Sequence, residues 1–159
     1  MVKQECFAEA LLEGAREVFE TMMFMTLEEC HEPGLEIEGS TLLGSITFQG
    51  TVEGCLAICC NVDCAKSIAV NMLGMEPGEE ISEEEVADAM GEVANMVMGA
   101  LKSRILESVG DVQVSIPSVI SGNELVSTLG ENSEKISMMV NIDEMLAKFE
   151  LLFREVPGQ

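Results

Sequence analysis

Asp88, Glu92, Asn95 and Gly99 follow one another at steps of four, three and four residues. At 100° per residue these steps hold all four on one side of an α-helix, while Val86, Met90, Val93, Val97 and Leu101 gather on the other. The apolar side must face a core, so the polar stripe is expected to face water. A carboxylate there can pair with a cation. A carboxamide can both accept a hydrogen bond from water and donate one. In a helix interior Asn costs a few tenths of a kcal/mol against Ala and Gly up to about 1 kcal/mol. A helix shaped by stability alone would place neither there, which marks the stripe as a candidate site; the plain alternative is a solvated face. Gly99 also opens space one turn beyond Asn95, where another surface can approach.

The helix that carries the stripe is read from about Ser82 to Val109. Ser82 and Glu85 form a capping box, Glu83, Glu84 and Glu85 favour the first turn, and Gly110 closes the helix. A first long helix is expected from Gln4 to Met25, with Phe7, Leu11, Ala15, Val18 and Met22 at helical spacing. Leu43–Gln49 and Glu53–Cys60 around Gly50 read as a hairpin. A short helix follows, with Asp63 as its N-cap and Gly74 at its C-terminal end. A turn is expected at Glu76, Pro77 and Gly78. Strands are then expected at Val112–Ile116, Glu124–Thr128, Lys135–Asn141 and Ala147–Arg154, the last with a terminal helix as its alternative. The order suggests one domain over residues 1–159, built from half-repeats at about 4–75 and 82–155. A shift of 79 residues lays Glu9, Glu13, Ala15 and Arg16 over Asp88, Glu92, Ala94 and Asn95, so Arg16 stands where the second half has Asn95.

Composition narrows the function classes. The 159 residues are 47% hydrophobic, enough for a packed core, and 29 Asp and Glu against 8 Lys and Arg give a net charge of −21. Such a surface repels nucleic acid and anionic membranes. No apolar run reaches the roughly 20 residues that span a bilayer. The start of the chain has neither signal nor transit character, so a cytoplasmic protein with reduced thiols is expected. Cys55, Cys59, Cys60 and Cys64 contain no C-x-x-C pair, and they read as small buried side chains rather than metal ligands. His31, the only histidine, has no evident nucleophile to serve. The twelve methionines, among them Met22, Met23 and Met25, read first as core filling and second as an adaptable binding surface.

The segment Asp88–Gly99 (DAMGEVANMVMG) resembles the signature of the CheC/CheX/FliY family of bacterial chemotaxis phosphatases: an acidic or hydroxyl residue, then E-x-x-N, on a long helix. Ser115–Gly122 (SIPSVISG) is similar to the strand and P-x-V-x-x-G turn that follow that helix in the family. The resemblance implies an α/β (α+β) fold of two pseudo-symmetric halves, a β-sheet packed against two long helices plus a short one. Arg16 in place of Asn makes the chain most like CheX, with one site in the second half. The implied activity is hydrolysis of the phospho-aspartate of a CheY-like response-regulator receiver domain. Asn95 would orient the attacking water and Glu92 would dock a receiver lysine, with Asp88, Met96 and Gly99 contacting the partner. The chain would need no metal or cofactor of its own, Mg²⁺ being held by the receiver, and it would form a homodimer. The alternative is a receiver-binding adaptor or flagellar-switch-like module without catalysis.

Overall fold

The helix α1 (Gln4–Met22) buries the side that carries Phe7, Leu11, Ala15 and Val18. A computed structural model of the chain describes residues 4–76, 78–122 and 133–157. α1 ends three residues earlier than the periodicity suggests, because Met23 and Met25 both donate their N–H to Phe19 O and Phe24 between them turns left-handed, at φ 54°. The short helix α2 (Val62–Leu73) is capped by Asn61, whose side chain accepts from the Cys64 N–H; the expected cap, Asp63, lies inside the first turn instead. Gly74 closes α2 at φ 65°, a conformation cheap only for glycine. The helix α3 (Glu83–Val109) starts at the expected capping box, with Ser82 and Glu85 satisfying each other's backbone N–H, and ends at Gly110.

The strands are β1 (Leu27–Cys30), β2 (Thr41–Gln49), β3 (Val52–Asn61), β4 (Gln113–Val114), β5 (Ser118–Gly122), β6 (Glu134–Ile142) and β7 (Met145–Glu155). They form one antiparallel sheet in the order β1-β6-β7-β3-β2, with β4 and β5 both on β2. The expected hairpin is β2–β3, and the C-terminal segment is a strand rather than a helix. The strand expected at Glu124–Thr128 and Pro77 of the expected turn lie outside the described residues. β1 is an addition to the expected elements. It follows α1 yet pairs with β6, while β5 follows α3 yet pairs with β2.

Alternation along the strands sends Leu56, Ile58 and Cys60 of β3, and Phe149, Leu151 and Phe153 of β7, to the helix side. There Phe7 packs on Phe153, with ring centroids 4.6 Å apart, and Phe19 on Phe149. α1 and α3 lie together over this face, close enough that a Cβ on Gly14 would stand 3.2 Å from the Ala100 Cβ.

β4 and β5 are two pieces of one edge strand broken by a bulge. Phe48 pairs with Val114 and Ser45 with Ser118, so two residues of β2 oppose three of the edge, Ser115 to Pro117. Ser115 holds the junction: its N–H donates to Thr47 O, and its Oγ accepts from the Thr47 N–H. Ile116 is pushed out, 88% exposed. The extra residue reverses the alternation, so that Val112 and Val114 pack inward before it and Pro117 and Val119 after it. The expected strand Val112–Ile116 therefore pairs only over Gln113–Val114.

Candidate functional site

α3 is placed from three directions at the residues that carry the stripe. Beneath it, Gly44 of β2 lies so close to the Met90 carbonyl that a Cβ there would stand 3.1 Å from that oxygen. To one side, Pro117 and Val119 of the bulged edge reach to 3.7 and 3.5 Å from the position of a Cβ on Gly91. To the other side, α1 meets Ala100, and Arg104 pairs with Glu17. Met90 and Gly91 immediately precede Glu92, and Gly91 is the surface neighbour of both Asp88 and Asn95. Sheet and edge together thus fix the rotation of α3 where the stripe runs.

That rotation buries Val86, Met90, Val93, Val97 and Leu101 and leaves Asp88, Glu92, Asn95 and Gly99 exposed. Met96 is half-buried against the core. The side chains of Asp88, Glu92 and Asn95 have no hydrogen-bond or ion-pair partner among the described residues. Around Gly99 the position of a Cβ meets nothing within 4 Å. The stripe is therefore an acidic ridge with one carboxamide and an open gap beyond it. Its groups are free to engage a cation, a water molecule or another protein surface.

The matching positions of α1 are arranged otherwise. Glu9 and Glu13 are exposed, but Arg16 is half-buried and donates from Nε to the Leu27 carbonyl at 3.2 Å, which ties it to β1. Sequence reasoning missed the parts played by Gly91 and Ile116. A second glycine inside the helix and a proline interrupting a β-branched run were the available signals.

The other reactive side chains lie apart from the stripe. Cys59 and Cys60 point to opposite faces of β3, and all six cysteines are free. The Cys60 thiol, hydrogen-bonded to Cys64 and buried, is held well above the usual thiol range, while the same bond lowers Cys64. Burial raises Cys55 and Cys59. His31 is exposed and its Nε2 lies 3.7 Å from a Glu29 carboxylate oxygen. Among the described residues no group of three or more His, Cys, Asp or Glu is placed to hold a metal ion, and no helix is long and apolar enough to cross a membrane.

A family model described as chemotaxis phosphatase CheX matches residues 42–141. No curated protein matches the chain. Among solved structures, chemotaxis protein CheX from Vibrio vulnificus is 28% identical, with a TM-score of 0.77 over 93% of this chain and 96% of that one. A CheC-like superfamily protein from Shewanella is 26% identical, with a TM-score of 0.78 over 96% and 99%. The fold is shared as well with the CheX–CheY–BeF3–Mg²⁺ complex from Borrelia burgdorferi, at 22% identity and a TM-score of 0.69 over 94% and 98%. The family match spans more than half of the chain and runs through both α3 and the bulged edge. This chain belongs to the CheX family of chemotaxis phosphatases.

Proposed function

We propose that this chain hydrolyses the phospho-aspartate of a CheY-like receiver domain, with Asn95 and Glu92 as the working residues. The carrying observation is that both side chains project from a braced helix with no partner among the described residues. The family description and the Borrelia complex of CheX with CheY support the partner class.

An acyl phosphate is labile, so positioning and charge stabilisation are the main contributions a protein can make. Asn95 enters the receiver's site. Its carbonyl oxygen accepts from the attacking water and its amide donates, which aligns the water with phosphorus without adding charge. The water oxygen bonds to phosphorus, the bond to the aspartyl oxygen breaks, and inorganic phosphate leaves. Glu92, one turn away, pairs with a receiver lysine and sets the register of the two surfaces. Asp88 and Met96 contact the partner at the rim, and Gly99 lets it approach. Mg²⁺ belongs to the receiver in this reading. The homodimer and a cytoplasmic location belong to the same reading.

The test is the phosphate lifetime of a phosphorylated CheY-like receiver in Mg²⁺ buffer, with wild type, Asn95→Ala and Glu92→Ala. Asn95→Ala should lose on the order of a hundredfold in rate while still binding the receiver. Glu92→Ala should weaken binding by about tenfold or more. Equal dephosphorylation by wild type and Asn95→Ala removes the catalytic role. Receiver binding with an unchanged phosphate lifetime replaces the phosphatase by a binding module.

A further inference from the structure

The turn from α1 to β1 displays a side chain that neither local conformation nor packing accounts for. Phe24 adopts φ 54°, a left-handed conformation costly for a bulky residue, and its side chain is 84% exposed. Glycine at this position would remove both costs. The backbone on either side of Phe24 is anchored. Met23 and Met25 on either side are buried and both donate to Phe19 O. Thr26 donates from N and Oγ1 to Asp143 Oδ1, and the Asp143 N–H donates back to Thr26 O. Asp143 and Glu144, the turn of the β6–β7 hairpin, are the other left-handed non-glycine residues among those described. All three strained positions thus lie in two turns bonded to each other.

Around Phe24 the surface is apolar and acidic. Met22 is 55% exposed beside it. Met25 and Met145 line an open cavity of about 400 Å³ with Val70 and Lys66 of α2. Glu20, Glu28, Asp143 and Glu144, exposed in the adjoining segments, outnumber Lys66. A second copy of the chain would bring the same carboxylates against these, in a molecule of net charge −21. The complement is a segment with an apolar stripe and a cationic border, and methionines adapt well to such a partner.

We propose that this end of the molecule docks a basic amphipathic helix of a partner protein, with Phe24 as its anchor. The proposal does not depend on the reading of the α3 stripe.

The test uses a fluorescein-labelled Lys/Leu amphipathic peptide of about 20 residues, and a peptide of the same composition scrambled so that no apolar face forms. Fluorescence anisotropy should show the amphipathic peptide binding wild type about tenfold or more tighter than the scrambled one. Phe24→Gly and Met22→Gln should each abolish most of that preference, and Asn95→Ala should keep it. Phe24→Gly should melt at or above the wild-type temperature. Equal binding of the two peptides overturns the proposal, as does full preference in Phe24→Gly. A lower melting temperature in Phe24→Gly would mean that the ring serves this chain's own fold. Wild-type dimers that Phe24→Gly dissociates in sedimentation would assign the surface to a second copy; either result also overturns it.

Discussion

At the scale of single residues, Gly99 is where the fold and the proposed docking make different demands. It sits in the interior of α3, where glycine costs about 1 kcal/mol against alanine, and the space around it is empty. Gly99→Ala should therefore raise stability by about 1 kcal/mol in urea titration. Gly99→Trp should leave the fold intact and weaken receiver binding by about tenfold or more, because the indole fills the gap beside Asn95. A Gly99→Trp protein that binds the receiver like wild type would place the contact elsewhere. Arg16 makes the complementary point. It occupies the position equivalent to Asn95 under the 79-residue shift, but its guanidinium serves the Leu27 carbonyl. The two long helices share a pattern of residues and differ in what those residues touch.

At the scale of elements, the bulge at Ile116 decides how α3 is held. A continuous edge strand would keep even-numbered residues inward and turn Pro117 and Val119 away from Gly91. Val119→Ala trims the inward contact that the bulge makes. It should cost about 1 kcal/mol of stability, because two methyl groups of a half-buried side chain leave the α3–β5 contact. It should also slow receiver dephosphorylation more than it weakens receiver binding, because α3 loses part of its lateral brace. Unchanged stability and rate in Val119→Ala would show that the edge does not position the helix. The exchange of short strands, β1 onto β6 and β5 onto β2, follows one pattern in both halves. We read that exchange as support for the half-repeat organisation.

At the scale of the whole molecule, the proposed function gives the charge of −21 a part in encounter rather than in chemistry. The α3 stripe adds local carboxylates to that field. Association with a receiver presenting a lysine should then be fast in dilute salt. Raising the salt concentration from about 50 mM to about 0.5 M should lower kcat/KM for phospho-receiver hydrolysis several-fold and leave kcat nearly unchanged. A kcat/KM that ignores salt would leave the charge with no part in recognition.

Much of this protein is local and was legible in the chain. The capping box at Ser82 and Glu85, the C-terminal glycines 74 and 110, the β2–β3 hairpin and the outward stripe on α3 all follow from neighbours within about four residues. Helix periodicity settles which side of α3 faces water, since the opposite side must be buried. The tertiary structure decided what depends on residues far apart in sequence. Asn61 displaced Asp63 as the α2 cap because the end of β3 set where the helix could start. Gly91 became a contact point because a strand more than 25 residues later bends by one residue to reach it, and Arg16 was drawn to β1 rather than to solvent. The exposure of Phe24 arose in the same way, from two distant turns locked together by Thr26 and Asp143. Such pairings come from chain topology, and spacing along the sequence encodes only which side of an element a residue occupies.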